Sequence, residues 1–130
     1  MKRKNLEILR DKGFNVPKFD VVEWKNRDKE IDISKYKGKY AIRSSSNLED
    51  RKLNSFAGQF DTYLNVVPKK INKKVQACFN SINNKNVDDY LKKQNIKTKD
   101  IKMDVIIQEM VNAKYSGIIF TSNPQGLLNL

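Results

Sequence analysis

The residues best suited to chemistry in this chain lie between Tyr40 and Val66. An alternating apolar run there ends in Arg43 and three serines, and the acidic pair Glu49 and Asp50 follows. An arginine at a strand end presents a fixed cation with five N–H donors, which suits a polyanion. We therefore expect Arg43 to bind an anion. The alternative is a surface ion pair with Glu49 or Asp50.

A run of small and polar residues follows, from Ser55 to Gln59, and a second alternating segment extends from Phe60 to Val66. Gly58 has no Cβ, so the backbone at this point is able to approach a ligand closely. The pattern predicts a Gly-containing loop that folds over the strand end carrying Arg43.

Composition narrows the class of protein. With 130 residues, 38% hydrophobic and 32% charged, the chain is one domain or part of one. We see neither an apolar run of the ~20 residues that a membrane helix requires nor a signal peptide. The single cysteine, Cys78, indicates a reducing, cytoplasmic setting. It falls within an apolar helical pattern, so we expect a buried, inert thiol.

Histidine does not occur in the sequence. This excludes every Ser-His or Cys-His nucleophile pair and the commonest general base and metal ligand from these 130 residues. Chemistry here has to use lysine, arginine, carboxylates, hydroxyls and backbone amides. No catalytic residue and no metal ligand is predicted.

The net charge of +11 is concentrated in residues 69–102, which hold ten lysines against three aspartates. Such a stretch is typical of nucleic-acid binding. Its aromatic residues, Phe79 and Tyr90, lie on apolar helical faces, and it contains no arginine. Lysines on a solvated helix surface are therefore the favoured interpretation, with a basic nucleic-acid-binding module as the alternative.

Periodicity predicts three helices. The first extends from Asn5 to Lys12, with Leu6, Ile8 and Leu9 facing inward. The second begins at Pro68 and carries one apolar stripe with a 3.6-residue period, formed by Ile71, Val75, Cys78, Phe79 and Ile82. A shorter third helix is capped by Asn86.

Strands are predicted at five places: Phe19 to Trp24, Lys39 to Arg43 with Ala41 and Ile42 buried, Phe60 to Val66, Met103 to Met110, and Tyr115 to Thr121. The short connection between the last two predicts an antiparallel hairpin. The fold class is α+β, a mostly antiparallel sheet with two to three helices on one face. The sequence continues past a completed turn at residues 123–126, so we expect a truncated larger fold.

The segment from Ala41 to Val66 resembles the N-terminal nucleotide-binding domain of phosphoenolpyruvate synthase and pyruvate phosphate dikinase, which has an ATP-grasp fold. The matching positions are Arg43, Ser44, Ser45, Glu49, Asp50, Ser55 to Gln59, Asp61, Thr62, Leu64, Asn65 and Val66. Val105 to Val111, Ser116 to Thr121 and the opening from Asn5 to Pro17 are similar to further motifs of this family. The resemblance implies that residues 1–130 are a partial ATP-grasp domain, its N-terminal subdomain.

The resemblance also implies the site residues. Arg43 would contact the phosphates of ATP, under a mobile flap that includes Ser55, Gly58, Gln59 and Thr62. Gln108, Glu109, Met110 and Val111 would form the adenine edge, through the Glu109 carbonyl and the Val111 N–H, with Ile42, Ile107 and Met110 as apolar walls. Lys2 takes the place of a phosphate-binding lysine, here without its flanking glycines; the alternative is a terminal lysine without a ligand.

By the same resemblance, the complete protein would be an ATP-dependent phosphotransferase. ATP would phosphorylate a histidine in another domain, for transfer to pyruvate or a similar acceptor. Mg²⁺ is expected in that complete enzyme, with ligands outside these residues. The partners would be ATP, the remaining ATP-grasp half and a phosphohistidine domain, in cis or as a separate chain. The alternative is a non-catalytic nucleotide-binding remnant or pseudoenzyme.

Overall fold

The sheet is the organising element of the structure, a computed structural model that describes residues 1–50 and 61–123. Four strands are present: β1 (Phe19–Val22), β2 (Tyr40–Ser46), β3 (Thr62–Val66) and β4 (Met103–Glu109). They lie in the order β1-β4-β2-β3, and every neighbouring pair is antiparallel. The long central strands β2 and β4 are rich in buried residues, as their apolar runs predict.

Three helices accompany the sheet: α1 (Lys2–Asp11), α2 (Ile71–Asn80) and α3 (Lys85–Lys93). The predicted stripe of α2 is confirmed, because its members all lie in the core: Ile71, Val75, Cys78, Phe79 and Ile82. Helix α3 adds Val87 and Leu91 to the same core. Ile42, Val105 and Ile107 meet these helices from the sheet. The predicted α+β class with an antiparallel sheet is confirmed.

Helix α1 lies on the opposite face of the sheet. Its Arg3 contacts Ser45 and Asp104, which alternate with the core-facing residues of β2 and β4. Two helices therefore cover one face and α1 lies on the other. The prediction that Ile8 and Leu9 face inward is wrong, since they are 42% and 41% exposed. Electrostatic contacts, rather than an apolar stripe, attach this helix to the sheet.

The predicted strand from Tyr115 to Thr121 is absent, and with it the hairpin. Residues 110–123 form no strand, and Tyr115, Ile118 and Ile119 are each more than 80% exposed. The reason lies in the sheet order: β4 is hydrogen-bonded to β1 on one edge and to β2 on the other, so neither edge is open to a following strand. A strong local β pattern is therefore left without a partner among the described residues.

Smaller differences concern element ends. The cap of α3 is Asn84, whose side chain accepts a hydrogen bond from the Asn86 N–H, so the prediction that Asn86 is the cap is wrong. β1 ends at Val22, and Trp24 begins a short 3-10 turn. Cys78 is buried as predicted. Within residues 1–50 and 61–123, no helix has the length and apolarity needed to cross a membrane.

Candidate functional site

Strand pairing places the chemically active residues on the face of the sheet that carries α1. Arg43 lies opposite Ile106, Ser45 opposite Asp104, and Ala41 opposite Gln108. Residues opposite each other in a ladder point to the same side, and residues two apart along a strand share that side. Arg43 and Gln108 therefore face away from the core formed with α2 and α3.

Arg43 is held by a neutral partner. Its Nη1 donates a hydrogen bond to Oε1 of Gln108 at 2.9 Å, and Nε2 of Gln108 donates to the Pro17 carbonyl at 3.3 Å. Gln108 is only 7% exposed, whereas Arg43 is half-buried. Among the side chains that the structure describes, no carboxylate forms an ion pair with Arg43. On the described contacts, the guanidinium of Arg43 is therefore held by an amide and not by a carboxylate.

Arg3 gives the contrasting case on the same face. Its guanidinium contacts Glu7 at 2.8 Å, Asp104 at 3.0 Å and Glu23 at 3.5 Å, and its backbone N–H donates to Oγ of Ser45 at 2.9 Å. These carboxylates hold the pKa of Arg3 above its usual value. Arg3 is thus neutralised by its neighbours and attaches α1 to the sheet.

The predicted purine edge lies where β4 leaves the sheet. The Glu109 N–H donates to the Lys18 carbonyl at 2.9 Å, and the Met110 N–H donates to the Lys39 carbonyl at 3.0 Å. The next N–H, on Val111, has no backbone acceptor within residues 1–50 and 61–123, and the residue is 61% exposed. The described backbone therefore offers one open donor at the predicted position.

The spacing along β4 relates this edge to Arg43. Arg43 is opposite Ile106, and Glu109 lies three residues further on, about 10 Å at the usual strand rise. The sugar and first phosphate of a nucleotide can span such a distance. Gln108 lies between the two points, on the Arg43 face.

Of the remaining predicted site residues, the structure describes Thr62 and Lys2. Thr62 begins β3 directly opposite Arg43 and is exposed. Lys2 is the first residue of α1 and is half-buried, next to the Arg3 contact with Ser45. Ser55, Gly58 and Gln59 lie outside the described residues, as do the side chains of Glu49 and Asp50, the predicted alternative partners of Arg43.

Ile42 and Ile107, two predicted walls of the purine site, lie on the face of the sheet opposite Arg43. They are 0% and 1% exposed and belong to the core beneath α2, and Ile107 also lines a cavity of about 290 Å³ together with Tyr40 and Glu109. Alternation along each strand keeps both side chains off the Arg43 face. Ala41 and Ile106 are the apolar residues of β2 and β4 that lie on that face. Met110, the third predicted wall, is half-buried.

The three serines after Arg43 are structural. All are fully buried in β2. The Ser44 hydroxyl donates to the Asp61 carbonyl at 3.2 Å, and Ser46 Oγ accepts from the Leu48 N–H at 3.1 Å. With Ser45 bonded to α1, each hydroxyl joins β2 to a neighbouring segment. Small hydroxyl residues suit these positions because they bond to nearby backbone without needing space for a large side chain.

Sequence reasoning missed the residues that support this face. The Arg3–Glu7 spacing of four is a visible helical signal for an ion pair. The roles of Asp104 and Pro17 arise from strand pairing, and no local pattern indicates them. A cavity of about 690 Å³ at the start of β4 was also not predicted; Arg3, Glu23, Trp24 and Met103 line part of it. It does not border Arg43.

The described residues do not provide a metal site. Within residues 1–50 and 61–123, no three His, Cys, Asp or Glu side chains gather closely enough to hold an ion. The carboxylates nearest to this face, Asp104 and Glu7, are already engaged by Arg3. No step of the chemistry is therefore assigned to Mg²⁺ here.

The sequence matches a known family over most of its length. Residues 23–129 match the family model "Pyruvate phosphate dikinase, AMP/ATP-binding domain". Phosphoenolpyruvate synthase of Pyrococcus furiosus is 33% identical over 129 residues, 95% of this chain and 16% of that protein. Rifampicin phosphotransferase of Streptomyces sviceus is 42% identical over 86 residues, 65% of this chain and 10% of that protein.

A probable phosphoenolpyruvate synthase of Archaeoglobus fulgidus is 40% identical over 85 residues, 65% of this chain and 11% of that protein. The chain thus spans between a tenth and a sixth of the length of these relatives. The family match covers the strands that carry Arg43 and Gln108 and most of the core. The chain belongs to the pyruvate phosphate dikinase AMP/ATP-binding domain family, a family of phosphotransferases that includes the phosphoenolpyruvate synthases.

Proposed function

We propose that this chain binds ATP on the face of the sheet that carries Arg43, as the N-terminal subdomain of an ATP-grasp domain. The observation that carries the proposal is the state of Arg43: a half-buried guanidinium, fixed by Gln108, with no carboxylate partner among the described side chains. Cations held in this way bind phosphate oxygens through charge-assisted hydrogen bonds. The family's AMP/ATP-binding description supports the choice of ligand.

The nucleotide would lie along β4 in one direction. Its phosphates would contact Arg43, and its purine would reach the Glu109 carbonyl and the open N–H of Val111, about 10 Å away. Thr62, opposite Arg43, together with Ser55, Gly58 and Gln59, would cover the phosphates. Lys2 would approach from the start of α1. Gln108 and Met110 complete the proposed set.

In the larger protein, the relatives' names indicate the chemistry to which this site would contribute. We propose that ATP phosphorylates a histidine in another domain, which passes the phosphoryl group to an acceptor such as pyruvate. The remaining ATP-grasp half and the phosphohistidine domain would be present in cis or as a separate chain. A non-catalytic nucleotide-binding protein is the second candidate, because the residues described here supply binding groups only.

The basic region 69–102 gives little support to nucleic-acid binding. Single-stranded nucleic acids stack on exposed aromatic side chains. Phe79, however, is 2% exposed and packs against Trp24, and Tyr90 packs against the core. The aromatic residues of this region are therefore used in the core, and the ring beside its lysines is Tyr63 of β3, 4.5 Å from Nζ of Lys74.

Calorimetric titration of the 130-residue chain with ATP, AMP and adenosine tests the proposed function. We expect ATP to bind, and Arg43→Ala to weaken ATP binding by ~10- to 100-fold while changing adenosine binding less than twofold. Arg27→Ala is the matched control, since Arg27 stacks on Trp24 on the other side of the sheet.

Absence of ATP binding by the unmodified chain would refute the proposed function. Equal ATP affinity of the unmodified and Arg43→Ala chains would refute the role of Arg43 alone. Strong, salt-sensitive oligonucleotide binding that is lost when Lys69, Lys70, Lys73 and Lys74 are neutralised would favour the nucleic-acid alternative.

A further inference from the structure

We propose that Gln108 is a positioning residue: it fixes the Arg43 guanidinium toward the phosphates and, being uncharged, leaves the positive charge of Arg43 available to them. This inference rests on the proposed nucleotide site. It gives Gln108 a role through Arg43 instead of a contact with the purine.

The orientation of the Gln108 amide follows from its surroundings. The side chain is 7% exposed and has two described partners, the Pro17 carbonyl and the Arg43 guanidinium. A carbonyl can only accept and a guanidinium can only donate. The amide nitrogen must therefore face Pro17 and the amide oxygen must face Arg43. The Pro17 contact thus determines which end of Gln108 is presented to the arginine.

This chain of contacts connects two strands of the sheet with the segment before a third. Pro17 precedes β1, Gln108 belongs to the central strand β4, and Arg43 belongs to β2. Just beyond Gln108 the backbone of β4 is bonded on both sides, because the Glu109 N–H donates to the Lys18 carbonyl and the Met110 N–H donates to the Lys39 carbonyl. The amide that holds Arg43 is therefore attached to an internal strand, and within residues 1–50 and 61–123 it engages one of the five guanidinium N–H groups.

Charge explains why a glutamine suits this position. A glutamate of nearly the same shape would form a buried ion pair with Arg43 and would compete directly with a phosphate. Arg3, on the same face, is an arginine with carboxylate partners: it forms ion pairs with Glu7 at 2.8 Å and with Asp104 at 3.0 Å. A neutral amide provides the same geometry without that competition.

The test compares Gln108→Glu and Gln108→Met with the unmodified chain. Gln94→Glu, which makes the same charge change at the exposed end of α3, is the matched control. ATP, adenosine and inorganic tripolyphosphate are titrated by calorimetry, and the melting temperature reports folding. We expect Gln108→Glu to weaken ATP and tripolyphosphate binding by ~10- to 100-fold, with adenosine changed less than twofold.

Gln108→Met removes the acceptor but adds no charge, so we expect a smaller loss of about 3- to 10-fold, again confined to the phosphate-bearing ligands. If Gln108→Glu fails to fold, the titrations of Gln108→Met decide whether the inference holds. A selective loss supports the inference, and an unchanged ATP affinity, or an equal loss for adenosine, overturns it.

The experiment distinguishes a failure of the proposed function from a failure of this inference. If the unmodified chain binds ATP and Gln108→Glu binds it equally well, the inference is wrong and the nucleotide site stands. If the unmodified chain does not bind ATP, the proposed function is wrong, and the tripolyphosphate titrations test the inference. Tripolyphosphate binding by the unmodified chain that is lost in Gln108→Glu supports the positioning of Arg43 for an anion. Equal tripolyphosphate binding by the two chains, or none by either, overturns the inference.

Discussion

Replacing Arg3 by methionine should detach α1 from the sheet. None of the residues of α1 is buried, and Ile8 and Leu9 are 42% and 41% exposed. Arg3 connects the helix to β4 through Asp104, whose side chain is 15% exposed. Methionine keeps most of the aliphatic length of arginine and removes only the charge and the donors.

The magnitude follows from the contacts. The Arg3–Glu7 pair is an i,i+4 pair at 2.8 Å, worth about 0.3–0.5 kcal/mol. The bond to Asp104 at 3.0 Å is better shielded from solvent. A hydrogen bond to a charged group contributes about 1.5–3 kcal/mol. We take the lower end of this range because the Arg3 side chain is 30% exposed. The expected loss in the free energy of unfolding is about 2 kcal/mol, or roughly 6–8 °C in melting temperature for a domain of this size.

Urea unfolding of the Arg3→Met, Asp104→Asn and double variants measures this value. A double-mutant cycle isolates the Arg3–Asp104 interaction, for which we expect a coupling energy of about 1–1.5 kcal/mol. Lys4→Met is the control: it removes a cation from an exposed position on the same helix, and we expect it to change the free energy of unfolding by less than about 0.5 kcal/mol.

The reasoning fails if Arg3→Met is no less stable than Lys4→Met. It also fails if the coupling energy is below about 0.3 kcal/mol, since α1 would then be held by contacts other than this ion pair. Amide hydrogen exchange in α1 gives a second check, because a helix attached mainly through one residue should exchange through local opening more easily than β4.

Three further predictions concern other parts of the chain. Burial, then the nearby Asp61 carboxylate, raises the pKa of Cys78 to about 12, so we expect thiol reagents at neutral pH to modify it only at the rate of unfolding; fast labelling of the native chain would contradict this. Burial alone would raise the pKa of Asp20, but hydrogen bonds from Tyr36 and Lys35 lower it overall; the carboxylate therefore stabilises the fold above about pH 4 and this contribution is lost as the pH falls through the lower, folded pKa. Asp20→Asn should accordingly be less stable than the unmodified chain in urea at pH 7, and the difference should shrink by pH 3; a constant difference would contradict the argument. Asn65 has φ 55° at the β3 irregularity, so we expect Asn65→Val to cost about 1–2 kcal/mol in urea unfolding and Asn65→Gly much less; equal stability of the two variants would refute the strain.

The sequence predicted the elements that depend on local periodicity. The apolar stripe of α2 is confirmed because a core face repeats every 3.6 residues in a helix. The predicted burial of Ala41 and Ile42 is also confirmed, with the two side chains on opposite faces of β2. The alternation that correctly buried Ile42 also places it on the face away from Arg43.

The failed hairpin shows where local reasoning ends. Residues 115–121 have the β-branched and aromatic composition of a strand, yet they cannot form the predicted hairpin, because both edges of β4 are already occupied. Whether a segment can pair with the strand before it depends on the sheet order, which is a property of the whole fold.

The sequence by itself determined that this chain has an antiparallel α+β core, that its 130 residues contain no histidine, and that Arg43 is its candidate cation for phosphate. It did so because periodicity, composition and motifs are local properties of the chain. Only the tertiary structure decided which arginine is available. Arg3 and Arg43 both place a guanidinium group on the same face of the sheet, but Asp104 contacts one and Gln108 the other. Partners more than sixty residues away in sequence thus pair one cation with a carboxylate and the other with a neutral amide.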